Sequence, residues 1–438
     1  MKNQRSPYKL FKPSPLGPIP EDWEVVRLGE VFRFVRGFSY RKIDISKDSG
    51  ILFLTINDLE KEGGKKRNTA NIYLKPNVNI PQKYLIEEFS LFVANTDMSK
   101  GFIIGAPLLY CPEGERAVYS MDLTRLVPTR EDLSLEFYFY LLTYVKVRRI
   151  VKTFGQGTNV IHLNHQLFKH LLIPLPPLPE QKRIAEVLRT VDEAILKVEQ
   201  EIEHTERLKR GLMQHLLSRG IGYTHFKDSP IGKIPEEWDV VRLGQVTKVV
   251  QGFAFPIKYQ TKNQGKYPFV KVGDMNSSEK YIKEAEFFID EEDLKRMKVK
   301  IYPSGTIIFP KIGMAIYLNK FRILSVSGTI DNNVAGLIPS DKVDPEFLFY
   351  WLSGKLDLVR LSGRTTAPSI KKSTIQRVSI PLPPFPEQKR IAEILMTVDR
   401  KLELLRQKKV HLERIKKGLM NDLLTGKKRL KVNLEGDI

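Results

Sequence analysis

Two polar clusters hold most of the chemistry that can be read along this chain. Lys152, Thr153, Gln156, Thr158, Asn159, His162 and Asn164, with His165 beside them, follow a helix-like run at 136–151. Arg364, Thr365, Thr366, Ser369, Lys371 and Lys372 follow a similar run at 346–361. Amides, hydroxyls, imidazoles and cations are the groups that bond phosphate oxygens and base edges. The expected chemistry is therefore nucleic-acid binding, against the plainer reading of an ordinary polar loop. Smaller segments share the character: Arg36, Ser39, Tyr40 and Arg41 around Arg36-Gly37-Phe38, and Gln251 with Lys258 around Gln251-Gly252-Phe253. Phe38 and Phe253 themselves read better as core. Thr96 and Lys100 lie in a loop at 95–101, and Lys311 in one at 310–314. Glycine permits close backbone approach in these loops and lysine meets phosphate, although a hairpin turn explains the pattern too.

Bond-making signatures are missing from the sequence. There is no phosphate loop, no H-E-x-x-H, no G-x-S-x-G and no dinucleotide fingerprint after a strand. Gly155-Gln156-Gly157 is a lone G-x-G. An enzyme reading would have to use Asp97, Asp122, Asp331 and the histidines near 162, and a pure protein scaffold is the other rival. A net charge of +20 suggests a polyanionic partner, most often nucleic acid, against the plainer reading of a general solubility surplus. Cys111 is the single cysteine, so no intrachain disulfide forms, and no Cys/His cluster has zinc spacing. No apolar run approaches the roughly 20 residues that cross a bilayer. The basic, proline-rich N-terminus lacks the apolar segment of a signal peptide. The expectation is a cytoplasmic protein that binds no metal or cofactor of its own.

What positions these clusters is a duplication. Residues 8–40 recur as 223–255, 171–192 as 378–399, and 208–217 as 415–424. A period of about 200 residues is too long for a solenoid and denotes a repeated domain. Each copy opens with a tryptophan (Trp23, Trp238) and a short strand. A body of short apolar strands follows, at 51–56, 91–94, 102–110, 269–272, 306–309 and 323–326. The bodies match poorly while their flanks match closely, so one scaffold carries two unlike inserts. The stretches Ile173-Pro174-Leu175-Pro176-Pro177-Leu178-Pro179-Glu180-Gln181 and Ile380-Pro381-Leu382-Pro383-Pro384-Phe385-Pro386-Glu387-Gln388 end the bodies. Proline stops a strand and suits a helix's first turn, where Glu180 and Glu387 complement the dipole. Beyond them Ile184, Leu188, Val191, Ile195, Val198 and Ile202 step as a heptad seam, as do Ile391, Leu395, Val398, Leu402 and Leu405. The first seam is expected to continue through Leu208, Leu212 and Leu216. The fold class expected is α+β: a tandem duplication of a globular α/β body followed by a long helix. The two helices should pack as an antiparallel coiled coil with pseudo-two-fold symmetry.

The duplicated proline-Glu-Gln blocks, the I-P-E-[DE]-W-[DE]-V-V-R-L-G blocks and the G-L-M-x-x-L-L segments at 211–217 and 418–424 together resemble the specificity subunits of type I restriction-modification enzymes. The resemblance spans essentially the whole chain. It implies an N-terminal segment at 1–20, a target recognition domain at 21–173 and a helical spacer at 174–220. A second recognition domain at 221–380, a second spacer at 381–426 and a tail at 427–438 follow. It implies a non-catalytic subunit that reads a split double-stranded DNA target. Modification (methyltransferase) subunits, expected as two, and restriction subunits would be its partners. S-adenosylmethionine, ATP and magnesium would then be bound by those partners.

Overall fold

The matching flanks of each body are bonded to one another. A computed structural model describes residues 11–14, 16–67, 69–98, 102–112, 114–363 and 368–430. In it the β-branched strand Glu24–Arg27 pairs antiparallel with Leu172–Leu175, and Asp239–Arg242 pairs with Ser379–Leu382. Each pair is a two-stranded sheet. Pro174 and Pro381 therefore sit in strands with an unpaired edge, where the missing N–H is harmless. Each pair closes the neck of a body, which is why the sequence around it is the same in both copies.

The residues group into two compact units. One comprises the chain up to Val198 together with the chain from Lys408 onward; the other is Glu199–Gln407. In the first, Phe32–Arg36, Leu123–Pro128, Ser90–Ala94 and Pro107–Tyr110 form an antiparallel sheet in that spatial order. In the second, Thr247–Gln251, Val334–Pro339, Ile307–Pro310 and Arg322–Leu324 are laid out the same way. Each unit adds a second sheet around a parallel pair: Ile51–Leu54 with Ala117–Tyr119, and Tyr267–Val270 with Thr329–Ile330. The scaffold of the two bodies is thus common although their sequences diverge.

The helix-like runs at 136–151 and 346–361 are each broken, contrary to their periodicity. Leu135–Thr143 and Val145–Lys152 flank Tyr144, which is extended (φ −63°, ψ 130°). Its buried side chain donates to Asn421 Oδ1 at 3.0 Å, and this tertiary bond outweighs local propensity. Pro345–Lys355 likewise ends before Leu358–Ser362, where Asp357 caps the new N-terminus by accepting from Val359 and Arg360 N–H.

The long helices are Leu178–Arg219 and Phe385–Leu423, 42 and 39 residues. Ile184, Leu188, Val198, Ile391, Leu395, Leu402 and Leu405 are buried as their stepping requires. Leu208 is not: it is 48% exposed, while Thr205 is buried and bonds back to the Glu201 carbonyl. The 4-3 rhythm passes through Thr205 and Lys209, so the expected continuation at Leu208 was one step out of phase. Lys209 reaches Asp399 at 2.5 Å and Arg406 reaches Glu206 at 3.1 Å, an antiparallel pairing inside the second unit. The first unit has the corresponding Lys416–Asp192 pair at 2.6 Å. Each aspartate also accepts a body tyrosine hydroxyl, Tyr350 to Asp399 and Tyr140 to Asp192. These half-buried charged pairs flank the apolar seam and favour its register, because a slip would break them.

The proline-Glu-Gln junctions do more than start helices. Glu180 is buried and accepts from Trp23 Nε1 at 3.0 Å and from Arg429, which also pairs with Asp22. Glu387 accepts from Trp238 Nε1, Tyr223 OH and the Ile221 N–H. Burial and this carboxylate push the Tyr223 phenol up to about 12. Gln181 takes the Ser134 N–H and gives its amide to the Asp132 and Pro176 carbonyls. Gln388 repeats this with Asp344, Lys342 and Pro383. The two residues therefore tie a tryptophan flank, a body helix, and the chain leaving the other long helix to one helix start.

Candidate nucleic-acid interface

Both units bring together segments that are far apart in sequence, through matching backbone bonds. In the first, the Gly37 N–H donates to Leu123 O, Asn95 N–H to Asp122 O, and Leu163 N–H to Asn95 O. In the second, Gly252 donates to Val334 O, Lys311 to Asn333 O, and Ile370 to Lys311 O. A side chain at either glycine would collide with backbone: an ideal Cβ would lie 2.1 Å from Ser120 O at Gly37 and 1.9 Å from Asp331 O at Gly252. The polar cluster after the broken helix thereby pairs with the loop after a central strand. Thr96 pairs with His162, His162 with Gln156, and Ile312 with Ser369. The Thr96–His162 and Ile312–Ser369 pairings were not legible locally, since each joins residues more than fifty apart in the numbering.

This frame puts unlike residues at equivalent points. Arg36 corresponds to Gln251, Asn95 to Lys311, Asp122 to Asn333, His162 to Ser369, Asn164 to Lys371 and His165 to Lys372. Arg36, Gln156, Thr158, Asn159, His162, Gln251, Ser369, Lys371 and Lys372 are exposed. Arg36 Nε is steadied by the Met121 carbonyl at 3.0 Å. Ser39 is exposed; Tyr40 packs edge-on against Phe53, with centroids 4.7 Å apart. Lys311 is half-buried, which lowers its ammonium pKa against the opposing charge of Asp331.

Other expected contacts have their polar groups engaged within the protein. Thr96 is buried, its hydroxyl donated to Asp122 Oδ1 at 2.8 Å, so it anchors the loop and offers no surface. Asn164 Oδ1 caps the helix His165–Lys169. Thr153 donates to Ile150 O, Lys152 pairs with Glu62 at 2.8 Å, and Arg41 pairs with Asp44 at 3.1 Å. Lys258 is exposed, with its ammonium over the Tyr259 ring. Lys100, Arg364, Thr365 and Thr366 lie outside the described residues. Asn333 had no signal in the sequence, because its place follows only from the Lys311 bond across the sheet.

His165 is the titratable centre of the first rim. Its Nε2 lies 3.1 Å from Asn95 Oδ1, which also accepts the Thr124 hydroxyl. Burial, then the positive charges of Arg36 and Lys169, hold its pKa below the ordinary histidine value. An unfolded histidine titrates near 6.5, so the neutral ring stabilises the fold fully above about pH 6.5 and progressively less as pH falls through its lower folded value. The first unit's melting temperature should therefore drop on acidification below about pH 6.5. His165→Gln should flatten that part of the profile; an unchanged slope in scanning calorimetry would refute the assignment.

Comparison with known proteins decides the family. The description Type I restriction modification DNA specificity domain matches residues 20–206 and again 235–414. The chain belongs to the type I restriction-modification specificity subunits. It is 30% identical over 426 residues to the type I restriction enzyme MjaVIII specificity subunit of Methanocaldococcus jannaschii, covering 94% of each protein. The putative MjaX specificity subunit of the same organism is 30% identical over 444 residues, covering 96% of this chain and 97% of that one. The fold matches the crystal structure of a type I system S subunit from M. genitalium with a TM-score of 0.59. That match has 16% identity and covers 92% of this chain and 96% of the other. In this specificity subunit, each of the two matched stretches spans one body and most of the long helix that follows it. Among the described residues no helix is long and apolar enough to cross a membrane.

Proposed function

We propose that this specificity subunit reads a bipartite double-stranded DNA target, one half with each body, and carries no catalytic centre. The observation that carries the reading is the pair of matched rims with different residues at equivalent positions. A common backbone frame with Arg36, His162 and His165 in one copy and Gln251, Ser369 and Lys372 in the other suits two different half-sites. The surplus of +20 supplies affinity for phosphate and predicts steep salt dependence. The helices, roughly 60 Å long at about 1.5 Å per residue, are long enough to act as a spacer for half-sites about 34 Å apart. Two modification subunits would dock on this helical spacer and supply methyl transfer with S-adenosylmethionine. Restriction subunits would supply ATP- and magnesium-dependent cleavage, all in the cytoplasm.

The test is to map methylated positions across the genome with and without this chain, and to titrate binding of the assembled complex with salt. A split motif that disappears with the chain, and affinity that falls steeply with salt, are expected. Methylation that keeps its motif without the chain, or the complex with no DNA affinity, would refute the reading and favour a scaffold role.

A further inference from the structure

Two methionines stand open on the surface, one in each body. Met98 is 84% and Met314 75% exposed. The bodies match poorly in sequence, yet both methionines stand three residues after the equivalent anchors Asn95 and Lys311. Each follows the residue that pairs with the polar cluster, Thr96 with His162 and Ile312 with Ser369. The surroundings are apolar in a strongly basic protein: Phe102 is 48% exposed in the first loop, and Tyr317 and Leu318 are about half exposed in the second.

The described residues next to each methionine segment are held from behind. The Arg148 guanidinium, buried, donates to Phe102 O at 3.2 Å and Ile104 O at 2.8 Å. Asn319, in the left-handed region at φ 46°, ends the 3-10 helix Gly313–Leu318 and bonds both Leu356 O and the Leu358 N–H. Segments that present a flexible, polarisable thioether in the same unit as Arg36 in one case, and as Lys371 and Lys372 in the other, fit an occupant that is anionic outside and apolar within. Base pairs behind a phosphate backbone have that chemistry, and methionine is among the side chains that press between or against bases.

We infer that Met98 and Met314 are base-contacting specificity residues, each making apolar contact with the bases of one half-site. This rests on the DNA-reading proposal above. Among the groups on each rim these two have no polar atom to spend on phosphate, so their contribution falls on sequence choice.

The test uses the full chain assembled with its modification subunits, methylating a library of randomised duplexes that are then sequenced. Met98→Ala should relax preference at one half by about tenfold and leave the other intact; Met314→Ala should do the reverse. Met→Leu at either position, which keeps the apolar volume, should restore most of the preference. If the wild-type complex shows no preference on the library, the DNA-reading proposal itself fails. If the wild type shows two preferred halves and both alanine variants keep them within about twofold, the methionine assignment alone fails. Loss at both halves from either single variant would overturn it equally, because that marks general damage.

Discussion

Glu180→Ala is expected to destabilise the first unit by about 3–5 kcal/mol. The carboxylate is 3% exposed and bonds the indole N–H of fully buried Trp23 and the guanidinium of Arg429. Its removal leaves the indole donor buried without an acceptor and one face of Arg429 without its counter-charge, while Asp22 keeps the other face. Glu180→Gln should cost less, because the amide oxygen still accepts from Trp23. Asp22→Asn, at a more exposed carboxylate, should cost about 1 kcal/mol or less. Denaturant melts followed by tryptophan fluorescence report directly, since Trp23 is one of only three tryptophans. A midpoint for Glu180→Ala within error of wild type would show that the junction is only a helix start.

Replacing residues 28–170 with a second copy of 243–377 should eliminate recognition of the first half-site and install the second in its place. The exchange leaves the paired strands Glu24–Arg27 and Leu172–Leu175 intact, and the incoming body comes from the same kind of strand pair. It should therefore fold onto the existing neck. Each mismatched base pair costs about 1–3 kcal/mol, so a lost half-site of several bases abolishes binding to the original target. Methylation mapping of the exchanged chain should return a motif with two like halves. Retention of the original first half would refute the assignment of that half to the first body.

Much of this architecture was legible because it is written locally or by repetition. The duplication and the helix starts follow from matched segments and from proline's lost donor at Pro179 and Pro386, whereas the neck strands run on through Pro174 and Pro381, where proline was expected to stop them. The burial of Ile184, Leu188 and Val198 follows from their 4-3 spacing, with Val191 and Ile195 between them only partly covered. Leu208 misled because an apolar residue near the right phase outweighed the buried, polar Thr205. The single helices expected at 136–151 and 346–361 fail at Tyr144 and Asp357, where a bond to Asn421 and a new N-cap override periodicity.

By itself the sequence determined the class, the twofold repetition, the family resemblance and the basic character that suits DNA. These depend on composition, spacing and self-similarity, which need no coordinates. Only the tertiary structure decided that each compact unit takes part of both long helices, and that Glu180 and Glu387 join a neck tryptophan to the end of the other helix. It alone sorted the rim, enclosing Thr96 and placing Lys311 beside Asn333 while leaving Met98 and Met314 in the open. The reason is physical: these facts rest on hydrogen bonds and burial between residues distant in the chain, and such pairings carry no local spacing to read.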